Sequence, residues 1–359
     1  MLEAANGPDA ESIARPLQRS TMRDVAALAD VSVKTVSRVI NGEKYVSPAV
    51  AEKVNMAVLR LNYRHNLAAS QLRAGSNASA IGLILVDISN PFSSTVHRVV
   101  QDVLQASGIA VLSASTDEEA ARERAAVRAF SERRVDGLII MPASHDQSYL
   151  QSELSAGMHI VMIDRPPAFL HVDSVTSDNR GGAMAGVQHL IEQGHRRIGF
   201  VGDWPDISSS RLRYEGYQDA LSRAGIALAP EIVLQGFNDQ DIVMNATREL
   251  LSAPDAPTAV FVAQNALCAP VVRAVRGLDR RYAVAVVGFD GFEGADLVEP
   301  GLTVVAQDPV QMGRHAAQIL LGRLHGDEAP PQNELLATHL INRGSGEIAG
   351  PYSSTRIES

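Results

Sequence analysis

Lys34 and Arg38 stand four residues apart in the run "VSVKTVSRVING", interleaved with Ser32, Thr35 and Ser37. On a helix this spacing projects both cations from one side. Small hydroxyls around two cations suit a helix laid in the major groove of a DNA duplex. Hydroxyls reach phosphate oxygens, and Lys or Arg reach guanine edges. Val33 in the same run offers only apolar contact, for instance to a thymine methyl. The alternative is a three-helix bundle whose polar face is simply solvated.

Catalytic chemistry finds little support. In "GHRRIGFVG" the glycines lie around a strand rather than at a strand-to-helix turn, so no dinucleotide fingerprint is formed. His195 in this run reads as a helix terminus. Neither the single Cys268 nor any serine sits in a motif that marks a nucleophile. "STDEEAARER" is a helix start with solvated charges, not a metal cluster. One cysteine also rules out an intramolecular disulfide and a Cys-rich zinc site. No catalytic residue, metal or cofactor is expected.

The cationic helix needs a scaffold. In "TMRDVAALAD", Thr21 is a candidate N-cap, with Asp24 near the positive helix end. Val25, Leu28 and Ala29 fall on one face of that helix. "ADVS" joins it to the second helix at helix-turn-helix length, with Asp30 where a glycine is usual; Asp tolerates the left-handed conformation such a turn needs. Val31, Val36, Val39 and Ile40 are expected to pack inward, and Asn41-Gly42 stops the second helix. A third helix begins at Ser47-Pro48, with Val50, Val54, Val58 and Leu61 along one side.

Charge is distributed unevenly. The chain of 359 residues is 45% hydrophobic and 20% charged, with a net charge of −9. Residues 21–75 nevertheless carry +4, and residues 76–359 carry −12. A small basic module on an acidic body implies an anionic partner for the module alone. No apolar run approaches the ~20 residues of a membrane span. The N-terminus lacks the basic start and apolar core of a signal peptide, so a cytoplasmic protein is expected. Residues 1–20 read as a polar, disordered arm.

Beyond "NLAASQLRAGSNAS", at residues 66–79, the pattern changes. "AIGLILV", "GIAVLSA", "DGLIIMP", "HIVMID", "SVTSD", "RIGFVGD", "PTAVFVAQ" and "AVAVVGFD" look like buried strands, with helical segments between them. Such alternation means parallel sheets covered on both faces. Some 260 residues suggest two α/β lobes, with a small-molecule site in the cleft beyond the strand ends. The expected division is a disordered arm over 1–20, a headpiece over 21–64, a hinge helix and linker over 65–79, a two-lobed core over 80–345 and a tail over 346–359.

The same residues carry a family resemblance. "MRDVAALADVSVKTVSRVINGEKYVSPAVAEKV" and "LNYRHNLAASQLRAG" resemble the N-terminus of the LacI/GalR family of bacterial transcriptional repressors. The similarity continues through "IDRPP", "RLRYEGYQDAL", "VVGFDG" and "PGLTVVAQDPVQMGRHAAQILL", and spans roughly residues 21–345. It implies a helix-turn-helix headpiece on a periplasmic-binding-protein-like core, binding a near-palindromic double-stranded operator as a homodimer. It further implies Val33, Lys34 and Arg38 as base readers. Thr21, Ser32, Thr35, Ser37 and Asn41 fall at phosphate-contacting or helix-fixing positions, and Tyr45 at a further groove contact. Leu72 aligns with the leucine of a hinge helix that orders only on DNA and wedges a central base step. His65 and Ser70 depart from the family pattern there.

In the core, the resemblance implies a small polar effector, a sugar or sugar acid, held by Phe92, Arg165, Arg213, Asn265, Asp290 and Gln307. Each has an alternative as an interlobe salt bridge or strand-end cap. The family's usual Asn-Asp pair reads Asn265-Ala266, so one supporting carboxylate is missing. The C-terminus shows no leucine heptads, which leaves a dimer as the default. The rival reading is a solute-binding receptor without DNA function, which would need an export signal and no basic headpiece. A regulator that depends on a co-repressor is the other alternative.

Overall fold

The structure, a computed structural model, describes residues 20–40, 46–61, 63, 80–237 and 239–353. The chain forms two units, one on each side of the boundary between residues 78 and 79. Asn41, Tyr45, Leu72 and the run "NLAASQLRAGSNAS" lie outside the described residues.

In the first unit, α1 (Met22–Ala29), α2 (Val33–Ile40) and α3 (Pro48–Arg60) pack around Val25, Ala26, Ala29, Val36, Val54 and Ala57. Thr21 opens α1 with a complete capping box: its Oγ1 accepts from Asp24 N–H, and its own N–H donates to the Asp24 carboxylate at 2.6 Å. The same carboxylate contact pulls the Asp24 pKa below the usual carboxylate value. Asp30 closes α1 in the left-handed conformation at φ 53°, as the turn requires. Ser20 Oγ donates to Leu61 O at 2.8 Å and ties the start of α1 to the end of α3. Two expectations need correction. Leu28 is 45% exposed, because the core side of α1 is filled by small residues, Ala26 and Ala29, that draw the helices close. Ser47 holds the N-cap position of α3, but its side chain makes no capping hydrogen bond; Pro48 supplies the start instead.

The second unit holds two six-stranded sheets. Lobe one has β1 (Ala80–Leu85), β2 (Ala110–Ser115), β3 (Gly137–Ile140), β4 (His159–Ile163), β5 (Asp173–Ser177) and β11 (Asn333–Leu336), in the order β11-β5-β4-β3-β1-β2. Lobe two has β6 (Ile198–Val201), β7 (Val233–Leu234), β8 (Ala259–Val262), β9 (Ala285–Phe289), β10 (Thr303–Ala306) and β12 (His339–Ile341), in the order β12-β10-β9-β8-β6-β7. The orders correspond strand for strand. All pairings are parallel except β10 with β12.

Both faces of each sheet are covered, which is why the strands read as continuous apolar runs. In β1, Ile81, Leu83 and Leu85 face α4 (Pro91–Ala106) and α11 (Pro309–Leu324), while Ile84 belongs to a cluster with Phe130 of α5 (Ala120–Glu132) and Leu154 of the short α6 (Gln151–Ser155). Lobe two repeats the plan. α7 (Asn179–Glu192) and α8 (Ser208–Arg223) cover Phe200, Phe261 and Phe289, and α9 (Gln240–Ser252) and α10 (Asn265–Gly277) cover Val260, Val286 and Val304. Gly216 lets α8 approach α7, since a Cβ there would lie 2.2 Å from Arg180 O. Beyond Gly344 the chain stays on lobe two: Ile348 O accepts from His195 Nε2 at 2.9 Å, and Gly350 N donates to Gln193 O at 2.8 Å. Among the described residues no helix is long and apolar enough to cross a membrane.

The chain passes between lobes three times, after β5, after β10 and after β11. A buried ion pair fixes the approach to the third passage. Arg323, in the last turn of α11, holds Asp173 at the start of β5 through two hydrogen bonds of 2.8 Å. Its remaining donors take the carbonyls of Asp327, Ala329 and Pro330, and Asp173 also accepts from Gln332 N. Removing one member of such a pair leaves a buried charge without its partner. Asp173→Ala is therefore expected to lower the unfolding free energy of the protein by about 3–5 kcal/mol, measured by urea denaturation.

Candidate functional site

The α2 helix presents the residues singled out for DNA. Val33 is 39% exposed, and Ser32, Lys34 and Arg38 are exposed, while Val36 on the opposite face is fully buried. Ser32 stands before the helix with its Oγ accepting from Thr35 N–H at 3.1 Å, and the two hydroxyls lie 2.9 Å apart. Thr21 Oγ1 donates to Asp24 at 2.7 Å. The hydroxyls of Thr21, Ser32 and Thr35 thus fix the ends of α1 and α2. Ser37 lies half-buried on α2 between the two cations.

The six core residues are far apart in sequence yet line one open cleft between the lobes. Phe92 follows the N-cap of α4 and packs half-buried on the lobe-one core. Arg165 follows β4; Asp290 follows β9; Arg213 rises from α8; Asn265 begins α10; and Gln307 lies on the passage after β10. The carboxyl ends of the parallel strands of both sheets point at this space, which is where parallel α/β sheets place ligands.

Asp164 and Asp290 occupy equivalent places in the two lobes. Each follows its strand in the left-handed conformation, at φ 67° and 55°, and each N–H donates to the next strand, at Val175 O and Val305 O. Asp290 accepts from Gln307 N at 2.8 Å and from Gln307 Nε2 at 2.6 Å. Arg213 is buried with its guanidinium 3.9 Å from the Phe289 ring centre; Nε donates to Asn179 Oδ1 at 2.7 Å and Nη1 to Ala263 O at 2.8 Å. Arg165 is held within lobe one rather than across the cleft. It donates to both oxygens of Glu118, at 2.7 and 2.5 Å, and to Pro142 O.

Among the described residues, one direct polar bridge joins the lobes across the cleft. Asn90, the N-cap of α4, and Asn265 exchange amide hydrogen bonds of 3.2 and 2.9 Å. Asn90, Glu118, Asp164 and Asp203 belong to the cleft and were not found from the sequence. An internal repeat carried the signal for Asp203. Asp87 lies two residues beyond β1, and Asp203 lies two residues beyond the equivalent β6.

Burial dominates the electrostatics. It pushes the carboxyls of Asp164, Asp203 and Asp290 above the usual range, against the Ser210 hydroxyl beside Asp203, the pull of Arg213 on all three and that of Arg165 on Asp164 and Asp203. Burial lowers the Arg213 pKa against the pull of Asp290. For Arg165 burial also opposes the charge, but Glu118 outweighs it and the pKa is raised. Buried titratable groups with perturbed pKa values gathered in a cleft mark it as a candidate functional site.

Known proteins match both parts of the chain. The model for bacterial regulatory proteins of the lacI family matches residues 21–66, and the periplasmic binding protein-like domain matches residues 187–346. The ribose operon repressor of Escherichia coli (strain K12) is 31% identical over 329 residues, 91% of this chain and 99% of that protein. The complex of the transcriptional regulator CelR with cellobiose is 33% identical, with a TM-score of 0.67 over 91% of this chain and 100% of that one. The lac repressor dimer bound to operator and the anti-inducer ONPF is 26% identical, with a TM-score of 0.79 over 92% of this chain and 100% of that one. The chain therefore belongs to the lacI family of bacterial regulatory proteins, and is a DNA-binding transcription regulator rather than an enzyme.

Proposed function

We propose that this protein is a cytoplasmic repressor that binds a near-palindromic operator as a homodimer and releases or grips it in response to a sugar or sugar acid in the inter-lobe cleft. One observation carries the effector reading: Phe92, Arg165, Arg213, Asn265, Asp290 and Gln307, drawn from both lobes and a lobe crossing, line a single cleft. The names of relatives agree with that chemistry, since one is a ribose operon repressor and another was solved with cellobiose.

In this reading Val33, Lys34 and Arg38 read base edges, and Thr21, Ser32, Thr35, Ser37 and Asn41 fix or contact the backbone. Tyr45 adds a groove contact, and Leu72 wedges the central step. The headpiece over 21–64, the hinge over 65–79 and the core over 80–345 are its working parts. The effector acts by changing how the lobes meet. Asp290 is bonded to Gln307 at a crossing, so a ligand that engages Asp290 acts on the hinge directly. A coupling of about 1–3 kcal/mol between effector and operator is typical of such systems.

Three outcomes follow. Lys34→Ala or Arg38→Ala should cost about 1–3 kcal/mol in operator affinity and relax sequence preference, measured by fluorescence anisotropy on a panel of operator variants. Equal loss on every sequence would reassign the side chain to phosphate. Asp290→Ala should abolish the change in operator affinity on adding effector; a variant that responds like the parent contradicts its role. Finally, the site carries a stability penalty. A buried carboxyl with a raised pKa destabilises the fold once pH rises above the value it has in the unfolded chain. Asp203→Asn should therefore raise the melting temperature at pH 7, and the gain should shrink as pH falls toward 4. A gain that grows on acidification would show the opposite sign of shift.

A further inference from the structure

The polar groups of the cleft define what a ligand must bring. Both guanidinium groups are partly committed, Arg165 through three N–H groups to Glu118 and Pro142, and Arg213 through two to Asn179 and Ala263. Both oxygens of Asp290 are taken by Gln307. Of the cleft atoms buried without a partner among the described residues, two are acceptors and one is a donor. Asp203 is 6% exposed and lines the cleft; the Ser210 hydroxyl lies close enough to pull on its carboxyl, but no hydrogen bond to Oδ1 is formed among the described residues. Gln307 Oε1 is in the same position, while Arg165 Nε is a remaining donor, 3.5 Å from the Asp164 carboxylate. Around the whole cleft, five carboxyl groups stand against two guanidinium groups.

A buried acceptor without a partner is costly, and a ligand hydroxyl or amino hydrogen removes that cost. A ligand carboxylate or phosphate brings further acceptors and a like charge into a water-poor space, where repulsion is weakly screened. Resting on the effector reading above, we infer that Asp203 is a specificity-determining residue, which accepts hydrogen bonds from an effector hydroxyl or amino group and, with Asp87 and Asp164, excludes anionic ligands. The effector class is then a neutral or amino-substituted sugar. Uronates, aldonates and sugar phosphates are rejected.

The molecule supplies its own reporter. Trp204 is the only tryptophan in the chain and adjoins Asp203. Full-length protein at pH 7 is titrated with neutral pentoses, hexoses and disaccharides and with their 2-amino, uronate, aldonate and phosphate-ester counterparts. Trp204 fluorescence and isothermal titration calorimetry are read in parallel. A neutral or amino member should bind, and its acid and phosphate-ester counterparts should bind at least ~100-fold more weakly, as expected when a buried carboxylate opposes a second anion. Asp203→Asn, checked for folding by its thermal unfolding, should bind the best neutral ligand about tenfold more weakly and discriminate less against the acid, as loss of a charged hydrogen-bond acceptor predicts. An acid or phosphate ester that binds as tightly as its neutral counterpart overturns this inference and leaves the effector reading standing. Asp203→Asn binding like the parent also overturns it. If no member binds, both the inference and the sugar reading fall.

Discussion

Asp290 gives both carboxylate oxygens to Gln307, one to the backbone N–H and one to the side-chain amide. The contact ties the cleft to a lobe crossing. Asp290 stands at the end of a central strand of lobe two, and Gln307 is where the chain leaves that lobe for α11 in lobe one. A strand-end carboxylate and a lobe crossing are therefore one hydrogen-bonded unit. A hinge of this kind needs only a few residues to absorb a change of angle. The Asn90–Asn265 amide pair spans the same cleft from the N-termini of α4 and α10, so lobe closure and cleft geometry are tied at two points.

The equivalence of the two sheets explains why the cleft is acidic. Each lobe sends the chain out of its β4 or β9 strand through an aspartate in left-handed backbone, and out of β1 or β6 through an aspartate two residues on. Positive φ outside glycine carries strain, although aspartate tolerates it better than most residues. Burial of three of these four carboxyls adds an electrostatic cost. The hydrophobic layers on both faces of each sheet, with Phe200, Phe261 and Phe289 fully buried, hold the strand ends in place against that cost.

Much of this was legible in the residues. Fully covered parallel strands are continuous apolar runs, so β1, β3, β4, β8 and β9 announced themselves. The short β7, the edge strands β11 and β12 and the covered β10 did not; β7, β11 and β12 carry no such run, although the edge strand β2 did, and all three residues of β12 are exposed. The capping box of Thr21 and Asp24 and the left-handed Asp30 follow from side-chain chemistry at adjacent positions, and both were readable. Leu28 was misjudged, since helical periodicity gives a face but not which part of it small neighbours will occupy. The six residues implied by family resemblance all reach the cleft, whereas Asp203, Asn90 and Glu118 were missed. No local motif marks them; only the correspondence of β1 with β6 and the pairing of side chains 175 residues apart bring them together.

Linkage supplies the most direct test of a cleft that communicates with the DNA-reading helix. Effector binding is measured by calorimetry on the free protein and on the operator complex, and operator affinity is measured with and without saturating effector. The account predicts that the two affinity ratios are equal and lie between about 5- and 150-fold, as reciprocity between coupled sites demands. Effector that binds the free protein and the operator complex with the same affinity would contradict it.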